Sequence, residues 1–299
     1  MSQLQPRALP IRSLLFIPVL SQAFIEKAHT RGADAIVLDM EDSIAPERKQ
    51  EARSHLAHAV ARLAAHAVLS WVRVNKALLE EDIAAAVAAR ATGIVLPKAE
   101  CASDVKHAEA LVTAAEKRSG APEGAVALMA DIETAKGLVA APAIAGSSGR
   151  LRALGFGEQD FAQDLGVAAS PEALTAPAQQ VVIAAKSAGL EAIGLPGSSV
   201  DFRDLPALAG IARHARRLGF TGAACIHPSQ IGILNEAFSP SSREVAEARE
   251  LATAFAAAIA GGLGAIAHNG TMVDEPIYRR ARAVLARHEQ LTRPPRDSQ

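Results

Sequence analysis

Short apolar runs alternate along the chain with longer stretches in which apolar positions recur every three or four residues. The short runs are 14–18, 35–40, 69–74, 93–97, 126–132, 151–156, 192–195 and 223–226, built from Val, Ile, Leu and Ala. Continuous apolar runs of that length predict strands buried on both faces, as in a parallel sheet. Between them, segments such as 23–31, 47–66, 80–90, 102–118, 171–188 and 205–218 carry helical periodicity. Eight strands alternating with helices predict an α/β fold, and specifically a (β/α)8 TIM barrel rather than an open sheet.

The rhythm changes after the eighth strand. Residues 230–238 read as the last barrel helix, and Ser239-Pro240-Ser241-Ser242 as a break carrying a helix N-cap. A long Ala-rich helix is predicted from 243 to about 260, a loop at 268–271, and a final helix from Pro276 to about 291. The organisation expected is a catalytic barrel over 1–238 and a helical extension over 239–299, with a polar, mobile end from 293.

Composition narrows the chemistry. Hydrophobic residues make up 49% of the 299 positions but aromatics only 3%, so the core must be built from small and branched aliphatic side chains. A formal net charge of −1, with no basic run, argues against nucleic acid and against a charged membrane surface as partners. The stretch 1–10 lacks an apolar signal core, and 252–267 is too short and too rich in Gly and Ala for a membrane span. Two widely separated cysteines, Cys101 and Cys225, make a disulfide framework improbable and a reducing cytoplasm the simple reading.

In barrel enzymes the reacting groups stand at the C-terminal ends of strands. Strand two ends in Asp39, Glu41 and Asp42, strand three in Arg73 and Asn75, and strand four in Lys98. Strand five ends in Asp131 and Glu133, strand six leads into Glu158 and Asp160, and strand eight ends in His227. A single acid at a strand end is most often a helix-start charge or a solvated loop residue. Several carboxylates at one mouth repel each other unless a cation or a proton intervenes. Magnesium takes one or two carboxylates and completes its octahedron with water and substrate oxygens, a demand that Glu133 and Asp160 suit. No His/Cys cluster has zinc spacing. Gly155 and Gly157 read either as turn residues or as points of close backbone approach. His227 alone reads more readily as a satisfied core histidine, and Cys225 as packing.

These pieces, in this order, resemble the HpcH/HpaI aldolase and citrate lyase β-subunit superfamily, close to the malyl-CoA and citramalyl-CoA lyases. The resemblance runs through Arg12-Ser13-Leu14-Leu15-Phe16-Ile17-Pro18, Val37-Leu38-Asp39-Met40-Glu41-Asp42-Ser43, Trp71-Val72-Arg73-Val74-Asn75 and Val95-Leu96-Pro97-Lys98. It continues through Ile132-Glu133-Thr134, Gly155-Phe156-Gly157-Glu158-Gln159-Asp160-Phe161 and Ile226-His227-Pro228-Ser229-Gln230. It implies a magnesium-dependent carbon–carbon lyase that cleaves a 3-hydroxyacyl thioester, malyl-, citramalyl- or citryl-CoA, to acetyl-CoA and a 2-oxo acid. Glu133 and Asp160 would be the metal ligands, with Glu133 also facing the substrate. Arg73 would bind the 2-oxo acid, and Glu41 and Asp42 would hold metal waters or orient Arg73. Arg12, Phe16 and Pro18 would contact the thioester or shape its channel, with Lys98, Ile226 and His227 also on the substrate side.

In the tail, Gly270-Thr271-Met272-Val273-Asp274-Glu275-Pro276 is similar to a segment whose aspartate acts as acid and base in the site of a neighbouring subunit. That implies a catalytic Asp274, a lid-like extension, and a homo-oligomer, a trimer or a hexamer. One departure stands out: the family's glycine after Pro18 is replaced by Val19, followed by Leu20-Ser21. Two other readings share most of these residues. One is a citrate lyase β subunit acting on an acyl carrier protein within a complex; the other is a class II aldolase joining pyruvate to an aldehyde. A coenzyme A binding measurement separates the last from the thioester enzymes. A barrel that has lost catalysis is disfavoured by the intact acid and arginine set.

Overall fold

The computed structural model describes residues 10–268 and 270–292; the polar stretch 1–9, Asn269 and the end from 293 lie outside the described residues. The eight strands are β1 (Ser13–Pro18), β2 (Ala35–Asp39), β3 (Leu69–Arg73), β4 (Gly93–Leu96), β5 (Ala127–Ile132), β6 (Leu151–Phe156), β7 (Glu191–Gly194) and β8 (Ala223–Cys225). They pair in parallel in the order β7-β6-β5-β4-β3-β2-β1-β8, and an Ile193–Gly222 bridge brings the two ends together. The result is a nearly closed (β/α)8 barrel.

The helices between strands are α1 (Gln22–Ala28), α2 (Lys49–Ala64), α3 (Leu79–Ala88), α4 (Ala102–Ser119), α5 (Ala135–Ala145) and α6 (Glu158–Leu165). α7 (Pro171–Ser187), α8 (Leu205–Leu218) and α9 (Ile231–Ala237) complete the ring. None of the helices is long and apolar enough to cross a membrane, among the described residues.

Alternation along each strand divides the core in two. Leu14, Val37, Trp71, Val95, Met129, Ala153 and Ile193 point inward and fill the barrel. Leu15, Ile36, Leu38, Val72, Ile94, Leu128 and Leu154 point outward against helices. The indole of Trp71 is accommodated because Gly93, its direct partner in the β3–β4 register, has no side chain: a Cβ there would overlap the ring. The same inward parity, carried to the C-terminal ends, aims Asp39, Arg73 and Asp131 into the mouth.

A second compact unit contains the segments after Ser239. α10 (Ser242–Ala260) begins at a capping box: the Glu244 N–H donates to Ser241 Oγ at 3.2 Å, and the Ser241 N–H donates to Glu244 Oε2 at 2.7 Å. Of the stretch 268–271, expected as a loop, His268 and Thr271 instead belong to two antiparallel paired strands, β9 (Ile266–His268) and β10 (Thr271–Val273). The antiparallel pairing of three residues a side gives those backbones partners that the sequence, with its two short unpatterned runs, did not advertise. α11 (Glu275–Thr292) packs on α10 through Phe255 and Tyr278, ring centroids 5.0 Å apart.

Candidate active site

Arg73 organises the mouth. It ends β3 in register with Asp39 of β2, and its guanidinium forks onto that carboxylate, Nε–Oδ1 2.7 Å and Nη2–Oδ2 2.9 Å. Its Nη1 lies 3.1 Å from Glu41 Oε2 and 3.4 Å from Asp42 Oδ2, and its flat face lies over the Phe16 ring at 5.1 Å. Burial raises Asp39, but the two Arg73 bonds and the N–H groups of Ser43 and Glu41 outweigh it and hold this carboxyl below its ordinary range. The guanidinium is itself held charged: burial disfavours the charge, and Asp39, Glu41 and Asp42 more than compensate. Arg73 therefore keeps one edge, Nη1, turned toward further acids and the cavity.

The cavity, about 190 Å³, is floored by Leu14, Val37, Val95 and Met129 and walled by Phe16, Arg73, Asp131, Glu133, Glu158 and Asp160. Asp131 and Glu133 need space that two glycines on β6 and just beyond it provide. A Cβ on Gly155 would overlap the Asp131 carboxylate, and one on Gly157 would stand 2.6 Å from Glu133 Cγ. Glycine here makes room for acids, a role beyond the turn and ligand-approach readings.

Seven carboxylates thus share the mouth with two cations, Arg73 and Lys98. Burial, then the neighbouring acids, pushes Asp131 up to about 7 and Glu133 well above the usual carboxylate range. Glu41 is raised too, first by burial, and its Oε2 has no hydrogen-bond partner. Burial also raises Glu158, whose Oε1 accepts from Ser199 Oγ at 2.8 Å. Lys98 lies against this set: its N–H donates to Glu133 Oε2 at 2.9 Å, and its Nζ is 3.4 Å from Asp160 Oδ1 and 3.8 Å from Glu41 Oε1. Burial opposes the Lys98 charge, and Glu41, Asp160 and Glu133 together raise it.

Such an excess of buried oxygen donors suits a hard cation. Glu133 and Asp160 line both this cavity and an adjoining cleft formed with Asp42, Lys98 and Thr134. Among the described residues no three His, Cys, Asp or Glu side chains gather as a complete metal cage. A partial set of oxygen donors fits magnesium, which retains water and substrate ligands, better than a metal needing an all-protein shell.

The other expected residues fall as follows. Pro18 ends β1 opposite Asp39 in the register, and the Ser21 N–H closes a turn onto its carbonyl at 2.8 Å. Val19, standing where a glycine was expected, is buried, and its N–H donates to the Asp39 carbonyl at 3.1 Å. Ile226 lines the cavity. His227 is exposed, stacks on Phe202 with centroids 4.5 Å apart, and accepts from the Ser229 N–H, capping its own loop. It is not among the cavity-lining side chains.

Arg12 needs correction as a thioester contact. It precedes β1, at the end of the barrel away from the mouth, and its Nε and Nη2 fork onto Asp34 at 2.8 and 2.7 Å. Asp274 joins β10 to α11, its Oδ1 accepting from the Ile277 N–H at 3.4 Å. Asp131 and Glu158 were visible as acids at or just after strand ends but carried no assigned role; Gly155, which faces Asp131, was the available signal for the first.

Comparison with known proteins agrees with this geometry. The family model for HpcH/HpaI aldolase/citrate lyase matches residues 12–228. The citrate lyase subunit beta of Escherichia coli K12 is 35% identical over 283 residues, covering 93% of each chain. L-malyl-CoA/beta-methylmalyl-CoA lyase of Cereibacter sphaeroides ATCC 17025 is 32% identical over 314 residues, covering 96% of this chain and 97% of that one. The crystal structure of CitE from Mycobacterium tuberculosis, in complex with magnesium, acetoacetate and coenzyme A, superposes with a TM-score of 0.72. It is 29% identical and covers 94% of this chain and 99% of its own. An acid-lined mouth on a parallel barrel and a matching sequence along nearly the whole chain lead to one conclusion: this protein belongs to the HpcH/HpaI aldolase/citrate lyase family.

Proposed function

We propose that the chain is a magnesium-dependent carbon–carbon lyase that cleaves malyl-, citramalyl- or citryl-CoA into acetyl-CoA and a 2-oxo acid. The observation that carries this reading is that Glu133 and Asp160 face one cavity beside the Nη1 edge of Arg73. Glu133 and Asp160 would hold the metal. Magnesium, when bound, would lower the pKa of the substrate hydroxyl and offset the negative charge that develops on its oxygen.

The protein's own side chains do the rest. Arg73 pairs with the carboxylate on the hydroxyl-bearing carbon, a charge-assisted contact made from Nη1 while Asp39 keeps the guanidinium in place. Glu41, whose Oε2 lies 3.1 Å from Arg73 Nη1 but accepts no hydrogen bond, accepts the hydroxyl proton. Breaking the carbon–carbon bond then leaves the 2-oxo acid and a thioester enolate, and Asp274 delivers a proton to the enolate carbon. In the condensation direction the same carboxylate removes the methyl proton of acetyl-CoA. Phe16 and Ile226 supply apolar walls.

The test is a panel of the three CoA thioesters with magnesium chloride, detecting the released keto acid. One substrate should be turned over, and Asp160→Asn should abolish that turnover in a folded protein. A folded parent that releases keto acid from none of them, or an Asp160→Asn protein with unchanged magnesium dependence, would refute the reading. The 35% identity to a citrate lyase subunit beta favours a second reading, in which the thioester is carried by an acyl carrier protein. Turnover of a soluble CoA thioester by the purified chain excludes an obligate carrier.

A further inference from the structure

Three non-glycine residues have positive φ among the described residues: Ala67, Arg90 and Lys98. Ala67 and Arg90 follow the C-terminal ends of α2 and α3, but Lys98, at +48°, stands in the mouth itself. A side chain other than glycine keeps this conformation only where its surroundings enforce it. One contact on this turn comes from Lys76, in the loop after β3. Its Nζ donates to the Lys98 carbonyl at 2.6 Å and reaches Asp104 Oδ2 at 3.2 Å. Asp104 in turn accepts from the Glu100 N–H at 2.9 Å, and Glu100 accepts from Lys136 Nζ at 3.0 Å. The Ala99 N–H donates to the Asp131 carbonyl at 3.0 Å. The loop from Pro97 to Cys101 is thereby fastened on one side to the β3 loop and on the other to β5, which leads into Glu133.

The left-handed turn has a visible consequence. It points the Lys98 N–H at Glu133 Oε2 and its ammonium toward Asp160 Oδ1, so one residue touches both acids assigned to the metal. We propose that Lys76 is a positioning residue for the cation site: by holding the Lys98 carbonyl it maintains the turn through which Lys98 orients Glu133 and Asp160. This rests on the assignment of those two acids as magnesium ligands. Lys76 touches neither of them and acts only through the backbone of residue 98.

The experiment is calorimetric titration of the full chain with magnesium chloride, for the parent, Lys76→Met, Lys98→Gly and the double variant. Groups that orient metal ligands commonly contribute about 10- to 100-fold in metal affinity, so Lys76→Met should weaken binding by about tenfold. Glycine adopts the turn without strain. Against Lys98→Gly as its reference, Lys76→Met should therefore change affinity by less than about threefold, well below that range. Parent-like affinity of Lys76→Met would overturn the inference. So would an equal loss in both backgrounds, which would assign Lys76 a purely electrostatic role. Should Lys76→Met fail to fold, Lys76→Gln, a milder loss of the same donor, must show the same dependence on residue 98. A parent that binds no magnesium would overturn the ligand assignment and this inference with it, whereas parent-like binding by Lys76→Met overturns this inference alone.

Discussion

Glu133 can occupy the mouth only because residue 157 has no side chain. A methyl group there would stand 2.6 Å from Glu133 Cγ and 2.7 Å from Oε1, and both atoms would have to move. Overpacking of this kind costs about 1–3 kcal/mol, which a barrel of this size tolerates. Gly157→Ala should therefore fold with a lowered melting temperature and lose the stabilisation that magnesium confers on the parent; thermal unfolding with and without magnesium measures both. Parent-like stabilisation by magnesium would mean that Glu133 is not a ligand. Residue by residue, chemistry and strand parity agree for Arg73 and Glu133, which stand at or just past the ends of predicted strands, while Asp160 lies in the first turn of the helix that follows β6. Asp131 shares the parity of Glu133 and faces Gly155, a hint the sequence carried, whereas Glu158 opens α6 and strand parity does not reach it. Arg12 was misread for a different reason. It precedes its strand, so the mouth rule already placed it at the other end, and only the likeness to a motif drew it into the site.

At the scale of elements, the barrel is pinned away from the site by one buried ion pair. Glu116 of α4 is fully buried and receives Arg150, which leads into β6, at 2.6 Å from Nη2 and 2.9 Å from Nη1. The N–H groups of Gly124 and Val126 also donate to it, each at 3.0 Å, joining α4 to the loop before β5. Burial alone would raise this carboxyl; Arg150 and the two N–H groups outweigh it and hold the carboxyl below its ordinary range. A group with a depressed folded pKa stabilises above its unfolded value, about 4.3 for Glu, and loses that contribution as pH falls through the folded value. Glu116→Gln should cost about 3–5 kcal/mol at pH 7, because Arg150 is left buried without its counter-charge. The gap between the two proteins in denaturant unfolding should narrow below about pH 4. A gap that stays constant from pH 7 to pH 3 would rule out ionised Glu116 as its source.

The elements themselves were largely readable. All eight strands appear within a residue or two of their expected ends, because buried parallel strands leave unbroken aliphatic runs. The sequence named no helix over α5 or α6. Gly137 and Pro142 interrupt the pattern of the first, and the second spans only eight residues. The β9–β10 pair was taken for a loop because three-residue strands are too short to show alternation.

At the scale of the whole molecule, the proposed reaction draws on both compact units: Arg73, Glu133 and Asp160 belong to the one that runs Ile11–Phe238, and Asp274 to the other. The resemblance that implicates Asp274 also implies that it serves a neighbouring copy, and a homo-oligomer built that way makes a quantitative demand. Asp160→Asn should be inactive for want of a metal ligand, and Asp274→Ala for want of the proton donor. Co-assembled from equal amounts, the two variants would form some sites in which an intact Asp160 meets an intact Asp274 from a different copy. With random assortment, each requirement is met half the time, so activity should return to about a quarter of the parent level in a symmetric oligomer. If each chain instead completed its own site, every chain in the mixture would carry one lesion and no activity would return. The two variants should be unfolded and refolded together, because mixing already assembled oligomers would not exchange their chains. Titration with pyruvate or glyoxylate adds a control: Asp274→Ala should still bind the 2-oxo acid, since the residues proposed to hold it are all in the barrel. Loss of that binding would move Asp274 from proton transfer to substrate capture.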